Sequence, residues 1–425
     1  MIRFNNDYNR GALESILDGL TEINAASYAG YGEDQWCGRA EAVIKKLIAR
    51  EDAMIKFVPG ATQANIVAIA AALSPVQSVI AADTGHINCH EAASIESTGH
   101  KILGLPNTDG KLTSRQIAAC AAEYYEGGAP EYLTEPKLVY ISFPTEQGTL
   151  YSKGELRAIS EVCKKYGMYL FVDGARMGYG LGAEDNDLTL KDFAELTDVF
   201  YIGGTKCGAL FGEALIITEP RLQYRFKAYM KQHGAVLAKG WLMGLQFALM
   251  LESGEYFERT RRADELAMQI KRAFAAKGIP FWVDSPTNQQ FVILTPQQRE
   301  TLARGYYFEE MAATPQGTVA RFCTSWATTQ AEVDALLDDI AGLWRRRIND
   351  FGGRFGIQRQ RLNSNARIAS TAPFACGAVL SQAESTQRPP LSWKKAPKEP
   401  RDSGSGFIPL TQPYQRIRLA GIRRQ

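Results

Sequence analysis

At 425 residues, 45% hydrophobic and 22% charged, the chain can bury a large core and is expected to hold two domains. A formal net charge of +2 offers no general attraction for nucleic acid, and none is expected as a partner. Seven cysteines follow no repeated CxxC spacing, which argues against a disulfide framework or a zinc site and suits a reducing cytoplasm.

The N-terminal MIRFNNDYNRGALESI lacks the apolar core of a signal peptide. The longest nearly apolar run, 240–251, is too short to span a bilayer and contains Gln246. No membrane association is expected. Residues 1–25 read as an arm with a short amphipathic helix carrying Leu13, Ile16, Leu17 and Leu20 on one face. A glycine-rich loop, Ala29–Gly30–Tyr31–Gly32–Glu33–Asp34, precedes a helix over roughly 37–50.

From there strand-like runs at 53–57, 78–82, 101–105, 138–143, 169–172, 199–202 and 214–217 alternate with amphipathic helices. Such alternation predicts an α/β fold with a mostly parallel sheet covered on both faces. Long helices are expected over 223–254. A smaller α+β unit should follow, with a helix at 262–277, strands at 281–283, 291–294 and 318–324, and a closing helix at 330–345. The expected partition is therefore an arm (1–25), a large domain (26–240), a small C-terminal domain (241–345) and a tail (346–425). Rich in Arg, Pro, Ser, Gln and Gly, the tail is expected to be disordered.

Ligands on parallel sheets sit beyond the carboxyl ends of the strands, and there the sequence places its chemistry. One strand ends in Asp173–Gly174–Ala175–Arg176, and another, 33 residues on, in Gly203–Gly204–Thr205–Lys206. An amine and a carboxylate at neighbouring strand ends suit pyridoxal 5'-phosphate (PLP). The lysine would form a Schiff base with the aldehyde, and the acid would keep the ring nitrogen protonated. Flanked by apolar and small residues, Lys206 reads as buried, where a free ammonium is costly unless neutralised or covalently used.

Gly60–Ala61–Thr62–Gln63–Ala64–Asn65 opens a helix whose N-terminal N–H groups could hold a phosphate, or simply forms a capped turn. His86 follows the next strand and could stack on a pyridine ring or exchange a proton. His90 reads more simply as a helix-start residue, and Glu91 either caps that helix or meets a cofactor oxygen. The guanidinium of Arg176 can grip a carboxylate at two points. Arg321, set among apolar residues on its strand, needs an anionic partner if it points inward.

Taken in order, Asn6–Asp7, Tyr31–Gly32–Glu33–Asp34, Ala61–Thr62–Gln63–Ala64–Asn65, Gly85–His86 with Glu91, Asp173–Gly174–Ala175–Arg176, Thr205–Lys206 and Arg321 resemble the low-specificity threonine aldolases. These belong to the β-eliminating lyase group of PLP fold type I. The likeness covers about residues 1–345. It implies a large domain with a seven-stranded sheet and a smaller C-terminal domain. Lys206 would be the Schiff-base lysine, Asp173 the partner of the ring nitrogen and His86 the stacking residue. Ala61 and Thr62 would hold the phosphate, and Arg176, Arg321 and Asn6 the substrate carboxylate. Tyr31 and Lys231 would act across a subunit interface, Lys231 toward the phosphate, in a homodimer or homotetramer with shared sites.

One departure stands out. Thr145–Glu146–Gln147–Gly148 replaces a Thr-His-Asn-Gly-like loop, so Glu146 stands where the family has a histidine near the substrate hydroxyl. Tyr8, Asn9 and Cys37 also differ from the commonest pattern. The resemblance implies a lyase cleaving the Cα–Cβ bond of β-hydroxy-α-amino acids, threonine or allo-threonine yielding glycine and acetaldehyde, with no metal. The rival readings are β-elimination or transamination of another amino acid, and a catalytically silent PLP-binding or scaffold protein. A nucleotide-binding Rossmann protein ranks last, since no GxGxxG follows the first strand.

Overall fold

The computed structural model describes residues 1–343, so the expected tail at 346–425 lies outside the described residues. Thirteen strands occur among the described residues. They are β1 (Ile2–Arg3), β2 (Met54–Val58), β3 (Gln77–Ala82), β4 (Lys101–Leu105), β5 (Glu135–Ser142), β6 (Tyr169–Asp173), β7 (Val199–Gly203), β8 (Glu213–Ile217), β9 (Phe281–Val283), β10 (Gln289–Leu294), β11 (Tyr306–Tyr307), β12 (Glu309–Thr314) and β13 (Gly317–Cys323).

The large sheet has seven strands in the order β2-β8-β7-β6-β5-β3-β4. Pairings from β4 through β7 are parallel, whereas β8 runs antiparallel to both β7 and β2. Every residue of β6, β7 and β8 is buried, as expected of strands covered on both faces. Alternation divides them between two cores. Leu170, Val172, Phe200 and Ile202 pack with Ile44, Ile159, Phe193 and Phe247 on one face. Phe171, Val199 and Tyr201 pack with Val67, Ile69, Phe226 and Met230 on the other. All seven expected strands of this sheet are present, shifted by a few residues at their ends.

The second sheet is antiparallel, in the order β12-β13-β10-β9. Its core joins Val292 and Phe322 to Leu266, Phe274 and Leu336 from the helices Glu255–Ala276 and Gln330–Gly342. The arm belongs to this core, because β1 pairs with β11 in parallel and Phe4 is fully buried in the same cluster. The carbonyl of Phe4 also accepts the N–H of Cys323 at 2.7 Å. Residues 5–7 are thereby carried toward the rim of the large sheet.

Two expectations need correction. Instead of long helices over 223–254 there are three short ones, Pro220–Gln223, Phe226–Gln232 and Trp241–Glu252. Arg225 and Gly234 adopt left-handed φ values of 59° and 69°, which no continuous α-helix accommodates. Strand β12 was unexpected. Its sequence, EEMAAT, has neither alternation nor β-branched enrichment before its last residue, and it forms by pairing along β13. The last helix among the described residues ends at Gly342. No helix among the described residues is long and apolar enough to cross a membrane.

Candidate active site

Strands β6 and β7 lie side by side and parallel, so their carboxyl ends deliver Asp173 and the Gly203–Lys206 turn to one rim. Glycine makes the close approach possible. A Cβ on Gly174 would stand 1.8 Å from the Tyr201 carbonyl oxygen, and one on Gly203 would stand 2.4 Å from that of Ala175. A pocket of ≈ 260 Å³ opens at this rim, lined by His86, Ser142, Glu146, Asp173, Arg176 and Lys206 among others.

Asp173 is 5% exposed. One carboxylate oxygen accepts the Tyr140 hydroxyl at 2.5 Å and the Asn65 amide at 3.2 Å, and the other accepts the Ala175 N–H at 3.0 Å. Burial alone would raise its pKa. The nearby His86 charge and the donated hydrogen bonds outweigh that, and the group is held below its ordinary value as a carboxylate. The amine of Lys206 is shifted the other way: burial, then the positive charge of Arg176, lowers its pKa. A buried lysine so disposed is a nucleophile.

His86 opens the short helix His86–Cys89 after β3. Its Nδ1 lies 2.7 Å from Glu91 Oε1, and Glu91 in turn accepts the Asn65 amide at 2.7 Å and the Ser94 hydroxyl at 2.6 Å. Glu91 therefore neither caps the helix nor stands free: it fixes the imidazole. Burial opposes the imidazolium, but Glu91 and Asp173 more than compensate, so the His86 pKa is raised. Asn65 bridges Glu91 and Asp173, tying ring orientation to the acid. His90 is the C-cap of its helix and not its start.

Glu146 accepts the His86 N–H at 2.9 Å and the Ser142 hydroxyl at 2.7 Å. Burial raises its pKa above that of an ordinary glutamate. This is the direction that makes a carboxylate a better proton acceptor near neutrality.

Arg321 is buried and Arg176 largely so, its side chain 12% exposed. Nε and Nη2 of Arg176 donate to the two oxygens of Asp7 at 2.7 and 3.0 Å. Asp7 also accepts the Asn288 amide at 3.0 Å. Burial raises the Asp7 pKa, but Arg176 and Lys206 override it and bring it to about 2. Arg321 is 9% exposed. It donates to Gln289 Oε1 at 3.1 Å and the Asn5 carbonyl at 2.9 Å, and pairs with Glu309. Its buried Nε has no hydrogen-bond partner, a donor suited to a small anion.

The remaining predicted residues stand outside the pocket lining. Ala61 and Thr62 form the first turn of the helix Ala61–Ala72, behind the extended Gly60. Asn6 accepts the Tyr8 N–H at 3.2 Å, while its neighbours Asn5 and Asp7 contact the arginines. Exposed Lys231 lies over the Tyr31 ring, 5.0 Å from its centroid. The structure thus gathers Lys206, Asp173, His86, Glu146 and Arg176 in one place, and leaves Asn6, Ala61, Thr62, Lys231 and Arg321 around or beyond it. Asp7, Asn65 and Tyr140 carry contacts that sequence reasoning did not assign. Asp7 and Asn65 sat inside motifs already singled out, whereas Tyr140 looked like one more apolar strand residue. An amine, an ionised buried acid and an oriented imidazole on one pocket are a donor set that fits PLP.

Residues 18–297 match the family model described as beta-eliminating lyase. The chain is 30% identical to the low specificity L-threonine aldolase of a Pseudomonas species over 345 residues, covering 80% of this chain and 96% of the relative. It is similar to a solved structure of Leishmania major threonine aldolase, with 41% identity, a TM-score of 0.79, and coverage of 80% of this chain and 99% of that one. A putative L-allo-threonine aldolase from Listeria monocytogenes shares the fold at 20% identity and TM-score 0.60, covering 80% of this chain and 95% of that one. The architecture is that of fold type I, and by its family match and its identity to these relatives the chain belongs to the β-eliminating lyase family.

Proposed function

We propose that this chain is a PLP-dependent aldehyde-lyase that cleaves the Cα–Cβ bond of β-hydroxy-α-amino acids, converting threonine or allo-threonine to glycine and acetaldehyde. The observation that carries the reading is the convergence of Lys206, Asp173, His86 and Glu146 on one rim pocket, in a chain similar over most of its length to threonine aldolases. β-Elimination and transamination are not favoured, since the relatives reported above are aldolases.

When bound, the cofactor supplies an electron sink conjugated to the amino acid's Cα. The chain does the rest. Lys206 would hold the cofactor covalently through its amine. Asp173 stays ionised and so keeps a proton on the ring nitrogen. His86, its imidazole fixed by Glu91, would be the residue that stacks on the cofactor. Ala61 and Thr62 offer helix N-terminal N–H groups to the phosphate. Arg176 and Arg321, with Asn6 alongside, would bind and orient the substrate carboxylate, and so fix which bond at Cα is presented for cleavage. Glu146, or His86 beside it, takes the proton from the β-hydroxyl as the aldehyde departs.

Tyr31 and Lys231 serve a neighbouring subunit, Lys231 toward the phosphate, in a cytoplasmic homodimer or homotetramer. The arm (1–25), the PLP-binding large domain (26–240) and the small domain (241–345) are the working parts. The test is a panel of β-hydroxy amino acids incubated with protein and PLP, with released aldehyde and glycine measured. Wild-type protein should release aldehyde, and Lys206→Ala should lose both turnover and the visible absorbance of lysine-bound cofactor. Formation of a keto acid and ammonia in place of glycine would refute the bond assignment.

A further inference from the structure

A buried acid that the scheme above does not use holds the turn that leads into Lys206. Glu213 opens β8 opposite Gly203 of β7 and is 2% exposed. Its two oxygens accept the Gly204 N–H at 2.8 Å and the Thr205 hydroxyl at 2.7 Å. The Thr205 hydroxyl accepts the Gly212 N–H at 3.0 Å, and the N–H groups of Gly204 and Thr205 both reach the Gly212 carbonyl, at 3.1 and 3.2 Å. The backbone donors of the two residues before Lys206 therefore end on Glu213 or Gly212.

A hydrogen-bonded turn alone does not require a charge. A buried carboxylate costs several kcal/mol unless a cation compensates it, and a neutral amide would accept a hydrogen bond with less desolvation. The cation whose field reaches Glu213 is Lys206. We propose, on the reading of Lys206 given above, that Glu213 is a positioning residue. It locks the Gly204–Thr205 turn from which the lysine projects, and it places a negative charge behind the amine.

The groups whose charges reach Lys206 include Arg176, Asp7 from the arm, Asp173 at the end of β6, Glu213 on β8, His86, His90 after the short helix and Cys323 at the end of β13. Of these acids, Asp7 is paired with Arg176 and Asp173 is held by the Tyr140 and Asn65 donors. Glu213 is bound only by the turn that carries the lysine. Burial pushes its pKa up to about 7, and the nearby lysine opposes this. The two groups therefore titrate in each other's field.

The test uses holoenzyme and reads the visible band of bound cofactor against pH. Glu213→Gln keeps the shape and removes the charge. A lost anion disfavours the protonated form, so the midpoint should fall by about one pH unit, with KM for threonine within about twofold of wild type. Thr205→Val removes the hydroxyl link and should slow capture of PLP by the apoprotein about tenfold, with Thr205→Ser restoring it. A wild-type midpoint in Glu213→Gln, or wild-type capture in Thr205→Val, overturns the proposal. If Glu213→Gln fails to fold, the Thr205 pair decides alone. Lys206→Ala separates the two readings: retention of the band there would sink the lysine assignment itself, whereas its loss beside a wild-type Glu213→Gln would sink only the role of Glu213.

Discussion

The two ends of the pocket are built differently. At the cofactor end, Asp173 closes β6 and Lys206 follows β7 by a short turn, so the parallel pairing of those two strands and the local hydrogen bonds of that turn set their separation. At the carboxylate end, Arg176 meets Asp7 across 169 residues of sequence and Arg321 meets Asn5 across 316. That end exists only if the arm docks through the pairing of β1 with β11 and the burial of Phe4 in the core of the second sheet. The first end is a property of one rigid element, and the second of an assembly. Damage to the first should therefore fall on the chemical step, and damage to the second on stability and substrate affinity together.

The largest expected effect follows from the first half of that contrast. Asp173→Asn keeps the size of the side chain but removes the charge that favours a protonated ring. We expect kcat to fall by about 10³-fold or more with the melting temperature little changed. Steady-state kinetics beside thermal unfolding checks this. A parallel loss of stability would show that the cofactor end is no more self-sufficient than the other.

Next in size is Asp7→Asn, which strands the Arg176 guanidinium in a buried site. Removing one partner of such a pair costs about 3–5 kcal/mol, measurable by denaturant unfolding, and KM should rise. The pH dependence has a definite sign. Burial raises the Asp7 pKa, but Arg176 and Lys206 bring it from 3.8 down to about 2 in the folded state. Its stabilisation is thus complete above about pH 4 and drains away as pH falls toward 2. Asp7→Asn should flatten the acid limb of the stability curve across that window. An unchanged limb would mean that the arm is held elsewhere.

Glu146→Gln should be milder, about 10²-fold in kcat, if the buried carboxylate takes up the β-hydroxyl proton. The pH profile is the discriminating measurement. Because burial raises the Glu146 pKa, the acidic limb of kcat should move with this residue and disappear in the amide. Glu91→Gln comes after it, at about tenfold, since the amide can still meet the imidazole but no longer favours its charged form.

Legibility in the sequence follows the same division. Strands β2 to β8 were readable because each is a short apolar run bounded by turn residues, and the chemistry at their ends was readable because parallel sheets put it there. Lys206, Asp173 and His86 needed nothing from far away. The partners of Arg176 and Arg321 were not readable, because no local pattern says that an arm at residues 5–7 returns to residues 288 and 321. Tyr140 was hidden for another reason. In a strand of eight residues in which apolar side chains predominate, a hydroxyl aimed at Asp173 has the same periodicity as a core residue. Strand β12 could not be told from a loop, since its pattern is supplied by β13 and not by its own side chains. Glu146 was legible as a departure from a family loop, while the burial that raises its proton affinity was not.

The smallest expected effect probes how the arm is held. Nη2 of Arg10 lies 2.6 Å from Glu332 Oε1, with the two side chains 52% and 21% exposed. Both belong to the docking of the arm against the helix Gln330–Gly342. A pair so open to water is worth no more than about 1 kcal/mol, because solvent screens the attraction and two long side chains must be immobilised to form it. Glu332 also keeps its second task, accepting the Thr329 N–H at 2.9 Å in the helix cap, when Arg10 is removed. Arg10→Ala should therefore leave kcat and KM near wild type and shift unfolding only slightly, less still in high salt. An effect as large as that of Asp7→Asn would place the anchoring of the arm at its exposed end, and the dependence of the carboxylate site on buried pairing would have to be given up.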